Sequence, residues 1–215
     1  MKHGLRDPIS ALTHLAGALL SVAGLAVLIV EAAKQATARH TVSFAIYGAS
    51  LILLYTASTL YHSFPAPRTG VGVLRRLDHM MIYVLIAGTY TPLCLIALAG
   101  AWRWAVLIGI WVLAGAGILL TAWWFEAPRW LSTSLYVVMG WLALIALGPL
   151  LQALPPAAFI WLLGGGVFYT LGALIYGAKR PNLSRSFGFH EIFHLFVLAG
   201  SLSHFWLMFR FLMRL

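Results

Sequence analysis

Seven long apolar segments dominate this chain, and each is long enough to cross a lipid bilayer as a helix. The hydrocarbon core of a bilayer is about 30 Å thick, so a helix that crosses it needs roughly 20 mainly apolar residues. The sequence therefore predicts a bundle of seven transmembrane helices. We place the spans at 10–33, 41–64, 77–99, 102–124, 131–151, 156–178 and 187–212.

The spans leave almost no residues for a soluble domain. Hydrophobic residues make up 62% of the chain and charged residues 9%, which is far from the composition of a soluble protein. We predict an all-α membrane protein with one transmembrane domain over 1–215. The first span is longer than the apolar core of a signal peptide and no small-residue cleavage site follows it, so we expect it to remain. The small residues at 114–117 and 164–166 predict close helix contacts.

The basic residues indicate an orientation rather than a nucleic-acid partner. The net charge is +9, but the lysines and arginines stand singly or in pairs at span ends, as topology signals do. We therefore exclude nucleic acid as a partner. A cytoplasmic N-terminus puts nine basic residues inside and five outside, which favours that orientation and an external C-terminus. The inner set is Lys2, Arg6, Arg68, Arg75, Arg76, Arg129, Lys179, Arg180 and Arg185; the outer set is Lys34, Arg39, Arg103, Arg210 and Arg214.

Few ionisable residues remain inside the spans, and each costs on the order of a few kcal/mol at membrane depth. Four of them fall at one depth in the predicted topology, within roughly 10 Å of one plane at 1.5 Å of rise per residue. The four are His62 near the end of span two, Asp78 at the start of span three, and His190 and His194 in span seven.

His190 and His194 are four residues apart, so their rings share one helix face and can bind one metal ion. With His62 they would supply the three histidines of a catalytic zinc site, whose fourth ligand is water. Asp78 would then hold that water and take its proton, or be a direct fourth ligand. Ser58 lies one turn before His62 and is a candidate hydrogen-bond donor to the substrate or to the site.

Each of these residues also has a structural interpretation. Asp78 could pair with Arg75 or Arg76 at the membrane edge, and Ser58 could bond to a carbonyl of its own helix. The histidines outside the predicted site, His14 and His204, are expected to make hydrogen bonds between helices.

Glu191 raises a different alternative, because His190-Glu191-x-x-His194 matches the zincin motif, in which the glutamate is the general base of a metalloprotease. The structural interpretation is that Glu191 stabilises the positive end of the helix dipole. It could also pair with Lys179, Arg180 or Arg185. We favour a site built from three spans over the protease.

Several motifs in the chain resemble those of the bacterial haemolysin III proteins, which belong to the progestin and adiponectin receptor family. The motifs are Asp7-Pro8-Ile9-Ser10-x-x-x-His14, Ser58-x-x-x-His62, Arg76-Leu77-Asp78-His79 with the segment 87–92, and 187–194. The resemblance implies a bacterial plasma-membrane protein with seven helices and a cytoplasmic N-terminus. It also implies a zinc ion bound by His62, His190 and His194, with Asp78 holding the water.

The resemblance also suggests a chemistry, because the related alkaline ceramidases hydrolyse a lipid amide with a similar set of residues. Our leading hypothesis is an intramembrane zinc hydrolase of a lipid amide or ester, with membrane lipids or a free fatty acid in the cavity between the helices. The alternatives are a non-catalytic membrane effector, in cytolysis or membrane homeostasis, and a receptor, each with structural zinc.

The charge distribution makes a testable prediction about topology. A C-terminal alkaline phosphatase fusion in a bacterial host should be active, because the excess of basic residues places the C-terminus outside. A C-terminal fluorescent protein fusion should be dark. An inactive phosphatase fusion together with a bright fluorescent fusion would contradict the orientation.

Overall fold

The computed structural model describes residues 5–35, 37–64, 68–124, 127–184 and 186–215. Lys2 and Arg185, two of the basic residues used to predict the orientation, lie outside these ranges. The described residues form α-helices, one π-helical segment and two short 3₁₀ segments. The helices are α1 (Pro8–Gln35), α2 (Ala38–Ser63), α3 (Arg68–Pro92), α4 (Gly100–Trp123), α5 (Arg129–Gly140), α6 (Leu147–Ala153), α7 (Pro156–Ala178) and α8 (Phe189–Arg210).

Seven helical stretches within the described residues are long and apolar enough to cross a membrane. The third continues α3 through the π-helical segment Leu93–Ala97, and the fifth joins α5, the 3₁₀ segment Leu142–Ala146 and α6. This confirms the predicted all-α fold with seven spans. The side of the membrane on which each terminus lies stays a prediction.

The third helix begins earlier than the sequence predicts. The predicted span starts at residue 77, whereas α3 starts at Arg68. Asp78 therefore lies in the third turn of α3 and not at its start, so that part of the prediction is wrong. A hydropathy window marks the apolar part of a helix, and α3 begins with more polar turns that contain Arg75 and Arg76.

The fifth span was predicted as one continuous helix, but its α-helical geometry ends at Gly140. The Tyr90 side chain of α3 reaches this break. Its hydroxyl donates a hydrogen bond to the Gly140 carbonyl at 2.8 Å and accepts one from the Ala143 N–H at 2.7 Å. A break at membrane depth is tolerated when neighbouring side chains satisfy the freed backbone groups. The sequence of the fifth span alone does not predict the break, because the hydrogen bonds that support it come from Tyr90 in another helix.

The spans pack mainly against their neighbours in the chain, and α8 also packs against α1. A buried hydrogen-bond network around Ser201 of α8 joins three helices. The Ser201 hydroxyl accepts a hydrogen bond from Tyr55 of α2 at 2.7 Å and lies 2.8 Å from the Tyr169 hydroxyl of α7. Such a network fixes the relative positions of α2, α7 and α8, which carry much of the site described below.

Small residues allow the closest helix contacts, as the sequence predicted for two segments. A Cβ added at Gly165 would overlap the His204 ring, and one added at Gly117 would overlap the Tyr83 ring. Gly115 is different, because a Cβ there would meet nothing within 4 Å. The prediction is therefore confirmed at Gly165 and Gly117 and is wrong at Gly115.

The packing at Gly165 predicts a loss of stability in Gly165→Ala. The added methyl would push the His204 ring away from α7 and break the hydrogen bond from His204 Nε2 to the Leu162 carbonyl, which is 3.1 Å long. Overpacking of this kind costs about 1–3 kcal/mol. Thermal unfolding in detergent should show a lower midpoint for Gly165→Ala.

The matched control is Gly177→Ala, in the same helix. A Cβ at Gly177 meets nothing within 4 Å, and alanine is favoured over glycine in helices by about 1 kcal/mol. Its midpoint should be unchanged or higher. Equal midpoints for the two variants would contradict the proposed contact.

Candidate metal centre and adjoining cavity

Three histidines converge at the end of the bundle where α2 ends and α8 begins. His62 lies in the last turn of α2, and His190 and His194 lie in the first two turns of α8. The Nε2 atoms of His62 and His190 are 3.1 Å apart. One ligand atom from each of the three residues lies within 4.8 Å of the others. The sequence had predicted that these three residues come together, and the structure brings them into one cluster.

The arrangement fits a metal ion. Two nitrogens bound to zinc at 2.0–2.1 Å with tetrahedral angles are about 3.3 Å apart, close to the 3.1 Å between His62 and His190. His62 and His194 are almost completely buried, at 2% and 1% exposure. The buried Nδ1 of His194 has no hydrogen-bond partner within the described part of the chain, and a buried imidazole without a partner is costly. A bound cation would satisfy such a cluster.

Glu191 has a structural role at the start of α8. One carboxylate oxygen accepts a hydrogen bond from the Gly188 N–H at 2.8 Å, and the other accepts one from the Ser10 hydroxyl at 3.0 Å. The first contact stabilises the helix N-terminus, and the second joins α8 to α1. Glu191 is thus bound to Gly188 and Ser10 rather than to Lys179 or Arg180, while Arg185 lies outside the described residues.

This engagement disfavours the zincin interpretation. A zincin needs its glutamate free to hold the attacking water, whereas both oxygens of Glu191 already accept hydrogen bonds. Glu191 is also not among the residues that line the large cavity beside the histidines.

Asp7 is a member of the site that the search within the spans missed. Its carboxylate oxygen Oδ2 lies 2.9 Å from His62 Nδ1, the ring nitrogen opposite the one that faces His190. The same oxygen accepts a hydrogen bond from Arg6 Nε at 2.9 Å. Burial raises the pKa of the Asp7 carboxyl, but the hydrogen bonds from His62 and Arg6 outweigh it and hold that pKa below its usual value. Asp7 precedes α1, so a search for ionisable residues inside the spans excluded it; only its place in the opening motif pointed to it.

A cavity adjoins the cluster and is lined by the other two predicted site residues. Its volume is about 130 Å³, and its wall includes Ser58, Asp78, His190 and His194. Asp78 is buried in α3 and does not belong to the three-histidine cluster. The Ser58 hydroxyl is buried and faces the Asp78 carboxylate, and the predicted bond to a carbonyl of its own helix is not formed. The cavity therefore brings a carboxylate and a hydroxyl next to the histidines.

The two remaining histidines behave differently from each other. His204 Nε2 lies 3.1 Å from the Leu162 carbonyl of α7, which confirms the predicted hydrogen bond between helices. His14 of α1 lies close to the His194 backbone of α8, but neither of its ring nitrogens makes the predicted hydrogen bond with good geometry. Instead its ring stacks on the His194 ring, with centroids 3.6 Å apart and an interplanar angle of 9°. His14 thus packs directly against the cluster.

Comparison with known proteins identifies relatives over nearly the whole chain. The family described as haemolysin-III related matches residues 3–205. Hemolysin-3 of Bacillus cereus is 42% identical over 192 residues, 89% of this chain and 85% of the relative. The Hemolysin-3 homolog of Bacillus subtilis (strain 168) is 42% identical over 196 residues, 91% and 89% of the two chains. The human monocyte to macrophage differentiation factor is 25% identical over 182 residues, 79% of this chain and 70% of the relative.

The cluster predicts which histidines determine metal content. His62→Ala, His190→Ala and His194→Ala should each purify with less zinc than the parent protein, because each removes one of three ligands. Elemental analysis of the purified proteins measures this.

Two variants serve as controls for metal content. His79→Ala removes a nearby histidine that lies outside the cluster, and Glu191→Gln removes the charge next to His190; both should keep most of the zinc. Metal loss in His79→Ala equal to that in His62→Ala would contradict the assignment of the cluster.

Proposed function

The chain belongs to the haemolysin-III related family, and we propose that it is an intramembrane zinc-dependent hydrolase of a lipid amide or ester bond. The observation that carries the proposal is the position of the three-histidine cluster on the wall of a large cavity, beside a buried carboxylate. A structural metal has no need of a cavity or of a buried acid that does not bind it. A catalytic metal needs both.

Zinc is the metal that suits the cluster best. His62, His190 and His194 would hold the ion through neutral imidazoles, which suit a borderline-soft metal, as in catalytic zinc sites. When bound, zinc would lower the pKa of a water molecule and polarise a carbonyl oxygen.

The residues of the cavity then have distinct roles in the reaction. The Asp78 carboxylate orients the attacking water, accepts its proton and passes that proton to the leaving amine or alcohol. The Ser58 hydroxyl, which lies on the cavity wall beside Asp78, donates a hydrogen bond to the carbonyl of the scissile bond. Buried groups of this kind act strongly because water does not compete with them.

The cavity suits an acyl chain. Along α8 it extends from His190 to His204, which is about 21 Å at 1.5 Å of rise per residue. One leaflet of the hydrocarbon core is about 15 Å thick, so a lipid chain fits along this length. The wall is mainly apolar and aromatic, with residues such as Ile82, Phe193 and Val197. We place the protein in the bacterial plasma membrane, where membrane lipids are available as substrates.

The proposal predicts a selective effect of Asp78→Asn. Asparagine has nearly the same shape and can still hold a water, but it cannot accept a proton at neutral pH. The variant should keep its zinc and its melting temperature, and its rate of lipid hydrolysis should fall roughly 10²–10⁴-fold, as expected for a missing general base.

The measurement is lipid mass spectrometry on membranes incubated with purified protein, with and without a chelator. Glu31→Gln is the matched control, because it is also an acid-to-amide change but lies near the C-terminal end of α1, away from the site. This variant should keep full activity. Full activity in Asp78→Asn would rule out its role as the base. A lower melting temperature with normal activity per folded molecule would favour the ion pair with Arg75 or Arg76. Zinc-loaded protein without any hydrolysis would favour a non-catalytic membrane effector.

A further inference from the structure

We propose that Asp7 is a positioning residue for the metal centre: its carboxylate holds the His62 ring in the one tautomer and orientation in which Nε2 can bind the metal ion. The inference rests on the proposed metal binding but not on the proposed hydrolysis. It assigns a role in the site to a residue that precedes the first membrane span.

The direction of the hydrogen bond follows from the chemistry of the two groups. An ionised carboxylate only accepts hydrogen bonds, so in the 2.9 Å contact the His62 Nδ1–H is the donor and Asp7 Oδ2 the acceptor. A neutral imidazole carries one proton, and the proton on Nδ1 leaves the lone pair on Nε2. That lone pair lies on the side of the ring that faces His190, whose Nε2 is 3.1 Å away.

The carboxylate is itself held in place by the end of α2. The Asp7 N–H donates a hydrogen bond to the His62 carbonyl at 3.0 Å, and the Arg6 N–H donates one to the Ser63 carbonyl at 3.4 Å. The Arg6 guanidinium binds Asp7 Oδ2 and also lies over the Tyr61 ring, 4.1 Å from its centroid. The two residues Arg6 and Asp7 thus contact three consecutive residues of α2, and the carboxylate has little freedom to turn away from His62.

Charge supplies a second reason for a carboxylate at this place. A divalent ion bound by three neutral imidazoles leaves two positive charges in a region of low dielectric, which is costly without compensation. Metal-bound histidines commonly donate their second N–H to a carboxylate, which raises the basicity of the ring. The effect of Asp7 therefore acts through His62.

The test is the zinc affinity of Asp7 variants, measured by competition with a chromogenic chelator. Asp7→Ala should raise the zinc dissociation constant about 10–100-fold, the range typical for the loss of such a partner. Asp7→Asn should lose less, because its amide oxygen can still accept the Nδ1–H but carries no charge. Glu31→Gln is again the matched control and should bind zinc like the parent protein.

Two further measurements separate positioning from a merely structural role. The visible spectrum of the cobalt-substituted protein should change in Asp7→Ala and recover largely in Asp7→Asn, because it reports the geometry of the ligands. The melting temperature of the metal-free protein should change little. An unchanged zinc affinity in Asp7→Ala with a lower metal-free melting temperature would overturn the proposal. If Asp7→Ala does not fold, zinc affinity in Asp7→Asn equal to that of the parent overturns it.

The outcome for Asp7 is distinguishable from that for the proposed function. Tight zinc binding by the parent protein without lipid hydrolysis would remove the hydrolase and leave the role of Asp7 intact. Hydrolysis that depends on zinc, together with normal affinity in both Asp7 variants, would remove the role of Asp7 alone.

Discussion

The cost of burying imidazole groups in an apolar bundle is the constraint on which the rest of this structure depends. A buried ring is costly unless its nitrogens have partners, and His62, His190 and His204 meet that need in different ways. His204 binds a backbone carbonyl of α7, and His62 binds the Asp7 carboxylate. His190 and His62 instead turn their Nε2 atoms towards each other beside His194. That last arrangement makes sense when a cation lies between the rings.

The predictable part of the molecule is the part governed by local patterns. Seven apolar runs, each with the length of a membrane span, predicted the seven spans because bilayer thickness acts on each run separately. The spacing of His190 and His194 predicted one shared helix face because the helical repeat fixes it. His62 was assigned to the site by comparing its depth in the membrane with that of His190 and His194. This comparison is possible because the rise per residue of a helix is known, so the position of a residue in its span gives its depth.

The features that the sequence did not predict depend on contacts between distant segments. The break at Gly140 is supported by Tyr90, which is 50 residues away. The carboxylate partner of His62 comes from a residue 55 positions earlier in the chain and outside the spans. Glu191 shows the opposite case, since its motif matches a catalytic one while contacts with Ser10 and Gly188 give it a structural role. A local sequence pattern therefore identifies candidate catalytic or metal-binding residues, but tertiary contacts determine which of them are available for such a role.

The contacts between α1, α2 and α8 also bear on how the protein is made. The cluster takes one histidine from α2 and two from α8, while Ser10 of α1 is bound to Glu191 of α8. The ribosome synthesises α8 after α1 and α2, so the cluster does not exist while the earlier spans enter the membrane. An ion held as proposed above would therefore be loaded only after α8 is made, because a chain that stops before α8 carries only His62 of the three histidines.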